Sequence, residues 1–520
     1  MPRAAIRAAA LLLPLAMVAV AGCTVGPADP PPIGVRGAAP EQPPAAAPGG
    51  GRPLPRLEES HSDRISWSDC TSTVRARLGG AGGNGPRLEC GRVVAPLDAP
   101  DRPGRGSIRL SVLRAGSGKV PLLVVNDVDE EPATTRAARL AGQLPPEFLQ
   151  TFALVGVDRR GTGGSTPADC VPPEQRRAIA GFDPAAREPA KLQDLMDSLR
   201  KATQRCLIDL ENQFPALDAW RAAGDLNQVR EALGVSRVNA LGRGTGSQVL
   251  TTFAQRFPDA VGRFVLDGVP DPTTDAVGQT EARAAAAEQA FDAFAKDCVA
   301  RGCPLGGDPK QALTGLLEKL RQQPIAVSGG TPVTAGLVMR AVVAGLGDRQ
   351  RWPGLAESLA KAGSGDGSGV SAAVRPLVSG QGDQPPALDG VLINTCNDTA
   401  TRVPFDRLAA LVPEWQGKYP LFGAFLAQQL MACSAWPPVK PLPSPRTLDV
   451  PPMVVLSGAA DPVTPLLGTT RAAEQLTGSA LVSWQGSGHG AFPASPCATA
   501  AVQRFLVEGQ VPVNRTTCPP

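Results

Sequence analysis

The residues best suited to chemistry are one histidine and the middle of a glycine-dense turn. The turn reads Gly-Arg-Gly-Thr-Gly over residues 242–246, after a strand-like run at Arg237–Gly242 and before a helical pattern that begins near Ser247. Of the two histidines, His61 falls at the edge of the region that we expect to fold and His489 lies well inside it. Any general-base chemistry at neutral pH would therefore have to use His489.

A strand that runs through such a turn into a helix matches the nucleophile elbow of α/β-hydrolases, whose pattern is G-x-S-x-G. Gly242 and Gly246 fill the two glycine positions, but Gly244 stands where the serine would be. The elbow strains a non-glycine residue by roughly 1–3 kcal/mol, whereas glycine adopts positive φ readily. We therefore expect the nucleophile position at Gly244, with no nucleophile on it.

Other segments, jointly and in order, resemble the secreted tripeptidyl aminopeptidases, a family related to the prolyl aminopeptidases. The resemblance covers roughly residues 62–518. The segments that carry it are Trp67 with Cys70 and Cys90, Pro96-Leu97-Asp98, residues 156–165, residues 257–272, Cys396-Asn397-Asp398, residues 458–465 and Gly488-His489-Gly490. It implies an α/β-hydrolase fold, with a mostly parallel, doubly wound sheet and an inserted helical cap lobe.

The same resemblance implies that Asp461 is the acid and His489 the base of a catalytic triad. Both follow Gly244 in the Ser…Asp…His order of the fold. The acid would fix the imidazole tautomer and stabilise the imidazolium that forms during the reaction. A structural role is equally open, because removing either member of a buried acid–imidazole pair leaves the other unpaired.

The loop after the predicted strand Pro121–Asn126 also departs from the family pattern. The family has a glycine-rich loop there that helps to build the oxyanion hole, whereas this chain has four carboxylates at residues 127–131. Losing one oxyanion donor costs roughly 100- to 1000-fold in rate, and nearby carboxylates oppose the developing charge. We place the altered oxyanion region at Asn126, Asp127 and Thr245. The acidic loop is either a solvated turn or a site for a cation, such as a peptide's amino terminus.

Two alternatives concern the glycine-dense turn itself. Thr245 or Ser247 could supply a non-standard nucleophile. Either choice shifts the register of the elbow motif, so that Arg243 or Gly246 falls at a position that does not suit it. The glycines could also form a dinucleotide-binding fingerprint, which requires a third glycine where Ser247 stands. An exported protein has poor access to nicotinamide cofactors, and we expect no cofactor.

Short apolar runs alternate with helical patterns, which favours a doubly wound α/β sheet. The predicted strands are Ile108–Leu113, Pro121–Asn126, Phe152–Asp158, Arg237–Gly242, Arg263–Asp267, Met453–Ser457 and Ala480–Trp484. A helix is predicted over Asp225–Gly234, where Gly234 is the stop. We expect a helical cap over residues 275–390, with helices at 279–300, 308–322 and 334–345 and a Gly/Ser-rich loop at 363–382. The core would comprise residues 59–274 and 391–520.

The N-terminus has the features of an export signal. Arg3 and Arg7 form a short positive region before an apolar run, Ala8–Val20, that is too short to span a bilayer. The following Val20-Ala21-Gly22-Cys23 resembles a bacterial lipobox, which implies removal of residues 1–22 and lipidation of Cys23. Residues 23–58 are rich in Pro, Gly and Ala and predict a tether. We expect an exported lipoprotein at the outer face of the cell membrane; the alternative is an ordinary signal peptide with an incidental cysteine.

Cysteine content and charge narrow the function classes. Ten cysteines besides Cys23 suit an oxidising compartment. Sequential pairing is the simplest hypothesis, although sequence alone leaves the connectivity open: Cys70–Cys90, Cys170–Cys206, Cys298–Cys303, Cys396–Cys433 and Cys497–Cys518. The absence of any C-x-x-C pair argues against a zinc site. A net charge of +3 without a basic aromatic stripe argues against nucleic acid as a partner.

Three functional hypotheses follow. The leading one is a catalytically degenerate family member, a surface binding or scaffolding lipoprotein whose partners are peptides or another envelope protein. The second is an active serine-type exopeptidase or esterase that releases short peptides with Thr245 or Ser247 as the nucleophile. The third is a purely structural envelope lipoprotein with a closed cleft.

Overall fold

The computed structural model describes residues 52–62, 64–79, 85–382, 384–438 and 448–520. The predicted signal peptide 1–22, the lipidation site Cys23 and most of the tether 23–58 lie outside these described residues. No helix within the described ranges is long and apolar enough to cross a bilayer.

One mixed sheet of ten strands organises the described chain, in the order β1-β2-β3-β5-β4-β6-β7-β8-β9-β10. Strands β1, β2 and β3 pair antiparallel, β3 pairs antiparallel with β5, and all later pairs are parallel. The strands are β1 (Ser68–Asp69), β2 (Leu88–Pro96), β3 (Ser107–Ala115), β4 (Val120–Val125), β5 (Phe152–Val157), β6 (Val238–Arg243), β7 (Val261–Asp267), β8 (Val454–Ala460), β9 (Ala480–Ser487) and β10 (Thr516–Cys518).

The parallel centre of the sheet follows from near-continuous apolar runs. Every residue of β4, β5 and β7 is buried, as expected for parallel strands covered on both faces. The seven predicted strands are all present within a few residues. The sequence pattern missed β2, which contains Gly91 and ends in Pro96, and it missed β1 and β10, which are only two and three residues long.

Helices cover both faces of the sheet and form a separate lobe. They are α1 (Thr71–Arg77), α2 (Ala133–Ala141), α3 (Pro146–Thr151), α4 (Pro173–Ala180), α5 (Pro189–Leu210), α6 (Ala219–Leu233), α7 (Thr245–Arg256), α8 (Ala276–Ala300), α9 (Pro309–Gln322), α10 (Ala335–Leu346), α11 (Trp352–Gly363), α12 (Ser368–Val378), α13 (Ala387–Asn397), α14 (Phe405–Lys418), α15 (Gly423–Ser434), α16 (Leu466–Gln475) and α17 (Pro496–Gln503). The helix predicted from Asp225 begins earlier, at Ala219, because the Asp218 side chain caps it by accepting from Arg221 N–H. It ends before Gly234 as predicted.

The helical lobe is larger than the predicted range 275–390. Helices α4, α5 and α8–α15 share one apolar cluster, so the lobe draws on two separate stretches of chain. The predicted loop at 363–382 is wrong, since α12 occupies most of it. Val370, Val374 and Val378 recur every four residues and are buried, which outweighs the Gly/Ser-rich surroundings that suggested a loop.

Five disulfides tie the sheet edges and the lobe. They join the sequential pairs Cys70–Cys90, Cys170–Cys206, Cys298–Cys303, Cys396–Cys433 and Cys497–Cys518. Two other apolar clusters lie on the two faces of the sheet, beneath α6 and α7 on one side and beneath α2, α3 and α17 on the other. The carboxyl ends of the parallel strands therefore meet at one edge, below the lobe, where functional residues of α/β folds gather.

Candidate active site

The turn between β6 and α7 has the geometry of an elbow. Gly244 adopts φ 54° and ψ −123° there, a conformation that disfavours residues with a side chain. Its N–H donates to the carbonyl of Asp267, at the end of β7 (3.2 Å). Gly246, in the first turn of α7, packs closely against β4. A Cβ at this position would lie 2.7 Å from the carbonyl carbon of Val125, so only glycine fits. The structure thus places Gly244 at the tip of the strand-to-helix turn, as the sequence pattern indicated.

A carboxylate fills the space where a nucleophile side chain would stand. A Cβ added to Gly244 would overlap Asp127 Oδ2 and lie 2.6 Å from Asp127 Cγ. Asp127 follows β4, in the loop that we assigned to the altered oxyanion region, and is almost fully buried. The glycine at the nucleophile position and the acidic loop are therefore physically linked, because Asp127 fits only when residue 244 has no side chain.

The Asp127 carboxylate also uses the donors of the elbow. Thr245 N–H donates to Asp127 Oδ2 (3.2 Å), and the Thr245 hydroxyl donates to Oδ1 (3.0 Å). Asp129 N–H donates to Oδ1 as well (3.3 Å). In a serine hydrolase of this fold, the amide after the nucleophile stabilises the oxyanion. Here that amide already faces a permanent negative charge.

Asp461 and His489 come together behind this carboxylate. Asp461 follows β8, and its two oxygens lie 3.0 and 3.1 Å from His489 Nδ1. The Asp461 carboxylate also accepts from the N–H groups of Val463 and Thr464, which fixes its orientation. The backbone N–H of His489 donates to the carbonyl of Gly347 in the lobe (2.8 Å). The acid and base positions implied by the family resemblance thus lie side by side and are fully buried.

The imidazole lies between two carboxylates. His489 Nε2 is 3.4 Å from Asp127 Oδ2, on the side of the ring away from Asp461. Burial opposes the charged imidazolium, but the carboxylates of Asp461 and Asp127 outweigh burial and the repulsion by Arg243, and they raise the pKa of His489 to about 10. Burial would raise the pKa of Asp127, yet the facing imidazolium holds it well below its usual range. At neutral pH the three groups form a carboxylate–imidazolium–carboxylate triad, and a protonated imidazole is no general base.

Arginine side chains neutralise the negative charges of the other three carboxylates in the acidic loop. The ion pairs are Glu130–Arg243 (3.3 Å), Glu131–Arg139 (2.8 Å) and Asp129–Arg283 (3.6 Å). A guanidinium nitrogen of Arg243 also donates to the carbonyl of His489. Asn126, placed in the oxyanion region from sequence, instead donates through Nδ2 to the Glu131 carbonyl (2.8 Å). The three carboxylates therefore pair with arginines of other elements, while Asp129 is also exposed to solvent.

Neither hydroxyl of the elbow helix takes the nucleophile's place. The Thr245 hydroxyl bonds to Asp127 and accepts from Val128 N–H (2.9 Å). The Ser247 hydroxyl is buried and has no hydrogen-bond partner in the described part of the chain. The dinucleotide alternative also conflicts with this geometry, since the elbow amide that would face a phosphate contacts a carboxylate instead.

Sequence reasoning did not assign Asp127 to the nucleophile space. The acidic loop and the glycine at the nucleophile position were predicted as two departures from the family pattern, with no contact predicted between them. The signal that could have linked them is their coincidence, because a new carboxylate near a retained histidine requires space that only a missing side chain provides.

A cavity of about 1260 Å³ opens above this site, between the carboxyl edge of the sheet and the lobe. Its floor includes Asp127, Arg243 and His489, and its roof includes Val343 and Leu388 of the lobe. The volume exceeds the roughly 300–1,000 Å³ of ordinary small-molecule pockets. The cleft can therefore accept a ligand with several residues or groups.

Comparison with known proteins gives two family models and several full-length relatives. Residues 138–363 match the model described as alpha/beta hydrolase fold, and residues 419–518 match the model described as TAP-like protein. Serine protease Hip1 of Mycobacterium tuberculosis is 26% identical, over 87% of this chain and 91% of that protein. Carboxylesterase B of the same species is 27% identical, over 88% and 90%. Tripeptidyl aminopeptidase of Streptomyces lividans is 26% identical, over 88% and 87%.

Proposed function

Because the chain belongs to the TAP-like α/β-hydrolases, we propose that it binds a ligand in the family's cleft without hydrolysing it. One observation carries this proposal: the Asp127 carboxylate occupies the nucleophile space beside Gly244 and accepts from the elbow amide. Acyl transfer needs an attacking oxygen, a base to activate it and free donors for the oxyanion. At this site the oxygen is missing, the base is protonated and the donor is engaged.

The open cavity favours binding over a purely structural role. A structural protein gains nothing from an unfilled cleft of about 1260 Å³, whereas a closed cleft would bury more apolar surface. The relatives carry the names of a serine protease, a carboxylesterase and a tripeptidyl aminopeptidase. Those names support peptides or esters as the ligand class that the cleft inherits.

A fluorophosphonate probe tests the loss of serine-type chemistry. We expect no covalent labelling of the purified mature protein, measured by intact mass, under conditions that label an active serine hydrolase completely. Stoichiometric labelling of the wild type that disappears in a His489→Ala variant would overturn the proposal. It would favour the second hypothesis, in which Thr245 or Ser247 attacks.

We also propose that the protein is anchored by lipidation of Cys23 at the outer face of the cell membrane. The support is the sequence Val20-Ala21-Gly22-Cys23 after the apolar run, followed by a tether-like segment. In a bacterial host that processes lipoproteins, an alkyne fatty acid should label the wild type and not Cys23→Ser. Equal labelling and equal membrane retention of both proteins would contradict the anchor.

A further inference from the structure

The cavity wall carries an excess of positive charge. Among the residues that the structure describes, nine arginines line it, against five aspartate and glutamate side chains. Every one of those five carboxylates already has a cationic partner: Asp127 with His489, Asp129 with Arg283, Glu130 with Arg243, Glu131 with Arg139, and Asp348 with Arg351. A positively charged amino terminus, which the acidic loop suggested as a ligand, would therefore find no unpaired carboxylate on this wall.

Two of the arginines have no acidic partner. Within the described ranges, no carboxylate lies at ion-pair distance from Arg136 or Arg340. Arg136 on α2 donates only a long bond to the Phe492 carbonyl (3.4 Å). Arg340 on α10 donates to the carbonyls of Ala180 (3.0 Å) and Ile179 (3.4 Å). One guanidinium thus belongs to the sheet side of the cavity and the other to the lobe.

A third guanidinium is only partly satisfied. Arg159 follows β5 and is 8% exposed, and it pairs with Asp398 through Nη2. Its Nε and Nη1 are buried and have no hydrogen-bond partner among the described residues, and the residue lines the cavity. A buried donor left unpaired costs about 1–3 kcal/mol, so a ligand acceptor at this position would recover energy that the free protein lacks.

Burial makes the two unpaired arginines unusually receptive to an anion. Desolvation lowers the pKa of Arg340 to about 10, against a smaller opposing effect of Asp129. Desolvation and then the neighbouring Arg243 lower the pKa of Arg136 to about 10 as well, against smaller opposing effects of Glu130, Glu131 and Asp267. A carboxylate is the natural partner for a guanidinium, because its two oxygens match the planar pair of N–H donors.

We infer that the cavity binds an acidic peptide, whose carboxylates pair with Arg136 on the core side and with Arg340 on the lobe side. The inference rests on the proposed function, since it names the ligand class of the same non-hydrolytic cleft. A peptide fits better than a small anion, because the cavity is large and combines the arginines with apolar lobe residues such as Val343 and Leu377. Two anchors on opposite walls favour a ligand with at least two acidic groups.

The test uses the full mature protein and two fluorescein-labelled hexapeptides, Ala-Ala-Glu-Glu-Ala-Ala and its glutamine counterpart. Fluorescence anisotropy should give at least tenfold tighter binding of the glutamate peptide, weakened by added NaCl. The double variant Arg136→Gln/Arg340→Gln should lose at least tenfold in affinity for it. The control Arg515→Gln removes one positive charge from an exposed surface site and should change the affinity less than twofold.

Arg340 also holds two carbonyls of the lobe, so its loss could unfold part of the protein. Arg340→Lys keeps the charge and removes the planar fork, and we expect an intermediate loss of affinity with an unchanged circular dichroism spectrum. Equal binding of both peptides, or unchanged affinity in Arg136→Gln and Arg340→Lys, would overturn the acidic-peptide inference alone. Cleavage of either peptide, seen by mass spectrometry, would instead contradict the proposed function.

Discussion

The two sides of the candidate active site differ in how closely their contacts match those of a serine hydrolase of this fold. On the acid–base side, Asp461 and His489 keep the relation that a hydrolase of this fold requires. On the nucleophile side, Gly244 provides no side chain and Asp127 fills the vacated space. The position of Asp127 changes what the Asp461–His489 pair can do. His489 lies between two carboxylates and has no hydroxyl to activate.

The comparison shows that the Asp461–His489 pair has a structural partner in Asp127, whatever its chemistry. A buried charge is tolerated when it is paired, and removing one partner from a buried pair costs about 3–5 kcal/mol. Asp127 gives the imidazolium a second partner. Loss of any one of the three side chains therefore leaves a buried charge with fewer partners and lowers the stability of the fold. Four predictions test this view, in order of decreasing expected effect.

The largest effect should come from His489→Gln. This change leaves Asp127 and Asp461 buried with no cation between them, and we expect a loss of about 3–5 kcal/mol in the free energy of unfolding at pH 7. Urea denaturation with the disulfides intact measures it. The control Asp127→Asn/His489→Gln removes one of the two carboxylate charges and should lose clearly less. Equal losses would show that the triad is not the source of the stability.

A smaller effect is expected for Gly244→Ser alone. The new Cβ meets the Asp127 carboxylate, and overpacking of this kind costs roughly 1–3 kcal/mol. We expect no fluorophosphonate labelling of this variant, because the elbow amide stays engaged. The matched variant Gly244→Ser/Asp127→Gly frees both the space and the amide, and it should react measurably. Full reactivity of the single variant would show that Asp127 moves aside easily.

The triad should also make stability depend on pH. The pKa of His489 is raised to about 10, so its contribution is complete below the ordinary value of about 6.5 and declines as the pH rises towards 10. The titratable and charged groups that face it are Asp127, Asp461, Asp267, Asp129 and Arg243. We expect the free energy of unfolding to fall more steeply between pH 6.5 and 10 in the wild type than in Asp127→Asn/His489→Gln. Parallel curves for the two proteins would argue against a charged His489.

The smallest effect should come from Ser247→Ala. Its hydroxyl has no partner in the described chain although it is fully buried, and replacing an unsatisfied buried polar group is nearly neutral or stabilising. We expect a change within about 0.5 kcal/mol in unfolding free energy and unaltered fluorophosphonate reactivity. A clear loss of any hydrolytic activity in this variant would make Ser247 the missing nucleophile.

The sequence predicted much of the fold and half of the site. Apolar strands such as β4 and β5 are recognisable because both faces are buried, whereas β2 and α12 are hidden by glycine and proline among their apolar residues. The elbow at Gly244 and the acid and base at Asp461 and His489 follow from motifs in fixed order. The position of Asp127 could not be predicted, because it depends on three segments of the chain meeting at distances that no local pattern encodes.

The carboxylate of Asp127 has a consequence for how this lineage can change. A serine introduced at position 244 collides with Asp127, and a glycine introduced at position 127 leaves an empty corner and a histidine with one partner fewer. Each single change is therefore penalised unless the other has already occurred, which is sign epistasis between neighbouring positions. A stepwise path away from the Gly244–Asp127 pair passes through a less stable intermediate, so the two positions are expected to change together.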